Sequence, residues 1–373
     1  MKKINIADPH FNDEDKRFIH DEIDKILDGK LSMGPNVNKF ENEFAKKMNV
    51  KHAIATNSCT AALETVLSAI GVDGKEVILP AQTFIGSGMS IYNSGAKLIF
   101  AEISKDTFCI DINDVKNKIT SKTKAIMLVH MAGYLTPDID EFIKICNENK
   151  IFLIEDAAHA PGAQINNRYA GTFGIAGCFS FYPTKVLTSG EGGMITTNSD
   201  KIAKIARSLQ YRGRDLSIKG EEVYNIPGRN IRMPELSALL GRVQLYNLDD
   251  YLKTRQSIAE TYRNELNDKN GIKVIVPKEI TSSACWKIII LLEKNHDRKK
   301  IIDNMLSLGV QVDLAYTPPL HLQPVIKDKC GTFEGMLPTT EDLMSRHICL
   351  PSNQSMTISD ARYVVRKLLE AVS

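Results

Sequence analysis

Short apolar runs alternate with helical segments through the first two thirds of this chain, and that alternation restricts the fold more than any other feature. Strands are predicted at 53–56, 76–79, 97–100, 125–130, 151–155, 177–181 and 193–197, with helices at 60–70, 139–149 and 201–211. Strands separated by helices pair side by side in one direction, because a parallel pair needs a long crossover and the helices then cover both faces. The expected fold class is therefore α/β, with a large, mostly parallel seven-stranded sheet. The run at 193–197 follows 177–181 too closely for a crossover helix, so one of that pair is expected to run antiparallel.

From Met233 to Leu245 the pattern reads as a helix with Pro234 near its first turn, continuing towards Arg255. The change of domain is expected there, giving residues 1–250 and 251–373. In the second part, strand patterns at 274–276 and 286–292 precede helical ones near 297–308 and 359–369, which implies a smaller α+β domain. A helix at about 12–27 lies outside the sheet pattern and is compatible with packing on either domain. The 373 residues are 43% hydrophobic, enough to build two cores. With 47 basic and 45 acidic residues, the net charge of +2 provides no field for nucleic acid or an anionic membrane. No apolar run reaches bilayer length, and the first residues lack a signal-peptide core. Seven cysteines without a C-x-x-C pair suggest reduced thiols and a cytoplasmic protein; no metal site is expected.

Chemistry is suggested by two strand ends. Lys185 follows the 177–181 run and precedes Gly190, Gly192 and Gly193, where the backbone can approach a ligand closely. Asp156 closes the 151–155 run. A solvated lysine and a helix-capping aspartate are the ordinary readings of each alone. Together, at neighbouring strand ends, they are what pyridoxal phosphate (PLP) requires: a Schiff-base lysine and an acid that keeps the pyridine nitrogen protonated. His159, three residues after Asp156, would share its face on a helical turn, unless it is a core histidine bonded to backbone. Ser58, Cys59 and Thr60 open a helix after the first strand, where N–H groups and hydroxyls can hold a phosphate or simply cap. Phe84 follows the second strand and could stack on a flat ring or fill the core.

Several motifs in one order carry a resemblance: Met33-Gly34-Pro35 with Phe40-Glu41 and Phe44, residues 57–63, Pro80-Ala81-Gln82-Thr83-Phe84, and residues 155–160 and 180–193. It continues through Gly228-Arg229-Asn230-Ile231-Arg232-Met233, Pro319-Leu320-His321, Leu350-Pro351 and Met356-Thr357. The chain resembles the DegT/DnrJ/EryC1/StrS aminotransferases, fold-type I PLP enzymes (aspartate aminotransferase-like) that act on nucleotide-linked keto sugars.

The resemblance implies Lys185 as the Schiff-base lysine, Asp156 as the partner of the pyridine nitrogen and His159 against the ring near its phenolic oxygen. It implies phosphate contacts from Ser180 with Ser58, Cys59 and Thr60, and stacking by Phe84. Asn230 would reach the cofactor phosphate of a neighbouring subunit, so a homodimer with shared sites is expected. Met33, Tyr316 and His321 are the expected substrate contacts. Two positions depart from the family: Cys59 stands where glycine is usual, and Lys287 where histidine is common. The implied reaction moves an amino group from glutamate to a keto group of a nucleotide-linked (6-deoxy) hexose, in surface-glycan or amino-sugar biosynthesis. Residues 188–193 look more like members that aminate C4 than C3. The alternatives are a keto-cyclitol or 3-keto sugar aminotransferase and a catalytically silent ligand-binding or regulatory homologue. PLP-dependent sugar dehydratases of this fold carry histidine where this chain has Lys185, which counts against that activity.

Overall fold

Apolar runs with little exposed surface dictate the central layer of the computed structural model, which describes residues 2–373. In chain order the strands are β1 (His52–Thr56), β2 (Glu76–Pro80), β3 (Lys97–Ala101), β4 (Thr123–Val129) and β5 (Phe152–Asp156). A two-residue-per-arm hairpin, β6 (Gln164–Ile165) and β7 (Arg168–Tyr169), precedes β8 (Ala176–Ser180) and β9 (Gly193–Thr197). Apart from the hairpin, these strands form one seven-stranded sheet in the order β1-β9-β8-β5-β4-β2-β3. Every position of β2, β8 and β9 is buried, as expected for strands covered on both faces. β9 runs antiparallel to both β8 and β1, while the other pairings are parallel. The short 181–192 connection thus gives the one reversal that its length demanded.

The helices at 60–70, 139–149 and 201–211 are found as Cys59–Ile70, Ile139–Asn149 and Asp200–Gln210. Two more helices of the large sheet, Ile85–Asn93 and Ile112–Lys118, lack a clear pattern in the sequence. The first opens Ile-Gly-Ser-Gly, poor helix formers by propensity. Packing requires the second of these glycines, since a Cβ at Gly88 would come within 2.7 Å of Leu320.

The helix entered at Pro234 is Glu235–Tyr246; it breaks at Asn247 and resumes as Leu248–Leu266, longer than the expected run to Arg255. Leu248 and Leu252 pack in the core that includes Phe179 and Leu187. Ile258, Tyr262 and Leu266 pack instead in a separate core with Ile290, Val364 and Leu368. That second core lies on an antiparallel sheet of β10 (Ile272–Ile275), β11 (Ile288–Leu292) and β12 (His347–Leu350). β12 is too short to stand out in the sequence. The N-terminal helix, Asp13–Leu27, is closed by a capping box between Asn12 and Asp15. It lies on Glu235–Tyr246, where Asn247 Nδ2 donates to Asp15 Oδ1 at 2.9 Å, whereas Ile4 joins the small-sheet core. Among the described residues, no helix is long and apolar enough to cross a membrane.

Candidate active site

Strand register gathers the site at the carboxyl ends of the parallel strands, where α/β sheets place ligands. Asp156 is level with Val129 on one side and Cys178 on the other. Two residues beyond Cys178, Ser180 pairs with Gly193, which also pairs with Thr56. Asp156 is buried, and its carboxylate accepts hydrogen bonds from Ser87 Oγ at 2.6 Å and the Ala158 N–H at 3.2 Å. Ser87 lies in the first turn of Ile85–Asn93 and is bonded in turn to Thr83 at 2.6 Å. The side chain of Cys59 points to the same carboxylate, with Sγ 4.0 Å from Oδ1. Burial, reinforced by Asp156, holds its thiol pKa well above the usual range, so it remains neutral.

Lys185 follows β8 on the turn that leads into β9. Loss of water around the amine lowers its pKa to about 8; Asp156 and the Cys59 thiol oppose the shift, while Lys287 adds to it. Desolvation wins, as it does when an ammonium enters low-dielectric surroundings. The amine stands 4.4 Å from the centroid of the Trp286 indole. The indole is tied down as well: Trp286 Nε1 donates to the Thr184 carbonyl at 2.6 Å. The His159 ring stacks on the indole at 3.8 Å, and its Nε2 shares a 2.9 Å hydrogen bond with the Tyr316 hydroxyl. Burial, followed by the Lys185 and Lys287 charges, pushes the imidazole pKa well below its usual value, so it is neutral. Burial likewise keeps the Tyr316 phenol protonated. The ring of Phe84, half of it exposed, lies 5.3 Å from that of Tyr316.

These groups fit PLP by their donor chemistry. Ser58 caps the helix Cys59–Ile70, accepting from the Ala61 N–H at 3.1 Å. Among the described residues, the N–H groups of Cys59 and Thr60 have no protein acceptor, which leaves two donors at the positive end of a helix for a phosphate. Gly193 allows this approach, since a Cβ there would lie 2.4 Å from the Ser58 carbonyl carbon. The Ser180 hydroxyl is one strand over. Asp156 suits a protonated pyridine nitrogen, Lys185 an aldehyde and Phe84 a ring face.

The expected substrate contacts Met33 and His321 lie elsewhere, and Asn230, expected in a neighbouring subunit's site, lies outside the site of its own chain. Met33 is exposed with φ 56°, beside the turn at Gly34 that Glu235 holds. Asn230 is exposed and forms a main-chain bridge with Tyr211. His321 is buried, bonded to Glu341 at 2.9 Å and 6.1 Å from the Phe100 ring. Conversely, Ser87 and Trp286 carried no signal for the site in the sequence. A serine three residues after Phe84 was the available hint for the first; for the second, it was the only tryptophan in the chain.

Comparisons over the whole chain identify its relatives. Residues 13–369 match the DegT/DnrJ/EryC1/StrS aminotransferase family. A GDP-perosamine synthase of Escherichia coli O157:H7 is 30% identical over 374 residues, covering all of both chains. Among solved structures, Helicobacter pylori PseC, an aminotransferase involved in the biosynthesis of pseudoaminic acid, superposes with a TM-score of 0.92. It is 25% identical, with 99% of each chain covered. DesI, solved in the presence of its TDP-sugar product, is 28% identical with a TM-score of 0.89, over all of this chain and 93% of its own. Fold and site define a PLP-dependent sugar aminotransferase. The chain belongs to the DegT/DnrJ/EryC1/StrS family.

Proposed function

We propose that this enzyme moves the amino group of glutamate to the C4 keto group of a nucleotide-linked 6-deoxyhexose, in the cytoplasm, for an amino sugar of a surface glycan. The observation that carries the reading is the Lys185 amine, with its pKa lowered to about 8, in the electrostatic field of Asp156. An amine whose pKa is lowered to about 8 has a far larger neutral fraction than an ordinary lysine, and the neutral form can attack a carbonyl and later carry a proton. Names of whole-length relatives, GDP-perosamine synthase among them, support a nucleotide-linked substrate. Residues 188–193 support C4, and seven free cysteines support a reducing compartment.

PLP, when bound, supplies an electron sink and carries the amino group between the two half-reactions. Lys185 would hold the cofactor and would serve as the base that moves a proton at the substrate carbon. Asp156 would keep a proton on the pyridine nitrogen, while Ser87 fixes that carboxylate in place. Neutral His159 and the protonated Tyr316 hydroxyl form a hydrogen-bonded pair in the same site. Trp286 walls the Lys185 amine from water.

A homodimer with shared sites belongs to the same proposal. Asn230 is exposed on an irregular segment with Leu216 and Tyr224, two exposed large apolar side chains. A twofold interface over this arm would carry one asparagine into each opposite site. The substrate claim is tested by mass spectrometry of products from nucleotide-linked 4-keto and 3-keto hexoses given with ¹⁵N-glutamate. Label in the 4-amino product is the expected result; label only in 3-amino products would refute the C4 assignment.

A further inference from the structure

Lys287 is a deeply buried ammonium whose ion-pair partner is itself partly exposed. It immediately precedes β11, the central strand of the small sheet, and only 4% of its surface is exposed. It pairs with Asp313, whose own side chain is 37% exposed, so water already shares that partner. Its Nζ stands 4.2 Å from the centroid of the Trp286 indole, the wall that also faces the Lys185 amine at 4.4 Å. A buried ammonium is costly unless it is paired or used. Burial lowers its pKa to about 8, which still leaves it mostly charged at neutral pH.

The other charges around the Lys185 amine leave a gap. Asp156 is the anion there, the Cys59 thiol is held neutral, and Lys287 is the cation that acts on Lys185. His159, stacked on the same indole, is held neutral. An amino-acid donor must bring its amine to Lys185, and a carboxylate arrives with it. That anion cannot leave water beside Asp156 without a positive partner.

We propose that Lys287 is the residue that receives a carboxylate of the amino donor. Asp313 turns to solvent as the carboxylate takes its place, so the local charge stays balanced. Trp286 holds the ammonium through a cation–π contact, on the same indole that contacts the Lys185 amine. This assignment rests on the reading of glutamate as the donor.

The test separates the two half-reactions in the holoenzyme. Trp286 is the sole tryptophan, so its fluorescence reports binding at this wall. Glutarate, a dicarboxylate without an amine, is the binding probe. Lys287→Met and Lys287→Gln are expected to weaken glutarate binding and raise the glutamate concentration for half-maximal rate by at least about tenfold, the scale of one lost charge-assisted contact. The reaction of the pyridoxamine form with keto sugar should stay within about twofold of wild type, and Lys287→Arg should restore most of the donor half. Equal losses in both halves, or an unchanged glutamate dependence, would overturn the assignment. If the wild-type enzyme takes no amino group from glutamate, the donor reading fails first and this assignment falls with it.

Discussion

The floor and the roof of this site are built by different physics. The floor comes from the large sheet: Asp156 ends β5, Ser180 ends β8, and Cys59 and Thr60 open a helix beside β1. Pairing register fixes those positions, because Asp156, Cys178, Ser180 and Gly193 are linked by adjacent backbone ladders. The roof is made of side chains from residues 284–316, namely Trp286, Lys287 and Tyr316, held by side-chain contacts, among them those to Thr184, Asp313 and His159, and not by a backbone ladder. A ladder cannot shift one residue without moving its neighbours, whereas a lone hydrogen bond can open. The floor should therefore govern chemistry, and the roof binding and access.

The largest effect expected is on the floor. Asp156→Asn keeps the shape and removes the charge, and kcat should fall at least about a hundredfold, as when a group stabilising developing charge is lost. Steady-state kinetics check this; a loss confined to KM would erase the distinction between the two regions.

Next in size is a pH effect that joins both regions. Desolvation lowers the Lys185 pKa to about 8. Because the neutral amine is the nucleophile, the rate at which apoenzyme captures PLP should fall about tenfold per pH unit below 8 and level off above it. A stopped-flow profile still rising at pH 10 would mean that Lys185 titrates as an ordinary exposed lysine.

Subunit mixing bears on a third region, the 211–232 arm. Lys185→Ala and Asn230→Asp chains are each expected to be poor. Mixed dimers should recover up to about half the normal activity, since one site then carries both defects and the other neither. Confirmed exchange without recovery would keep Asn230 out of the partner's site.

The smallest effect belongs to the roof. Tyr316→Phe removes the 2.9 Å bond to His159 and should cost about 1 kcal/mol, a few-fold in rate, mostly through KM. A hundredfold loss of kcat would place this hydroxyl in the chemistry itself.

The same contrast explains what the sequence discloses. Lys185, Asp156 and the 58–60 turn are legible because strand ends and helix starts leave local patterns of burial and capping. The single antiparallel strand is legible from a connection length. Ser87 is hidden because its helix opens with two glycines, of which Gly88 lies against Leu320 and Gly86 against Thr60 and Phe84. Trp286 and Tyr316 meet Thr184 and His159 over more than a hundred residues of chain, a closure that no local period records. Asn230 is readable only through family likeness, since within one chain it faces solvent.

The central claim is that Lys185 is the amine that joins the cofactor, although Lys287 faces the same indole with a similarly lowered pKa. Borohydride reduction of the PLP-loaded enzyme, followed by peptide mapping, decides between them. The cofactor should be found on Lys185, and a Lys185→Ala chain should carry none covalently. Cofactor fixed to Lys287, or to any other lysine of the wild-type chain, would contradict the account.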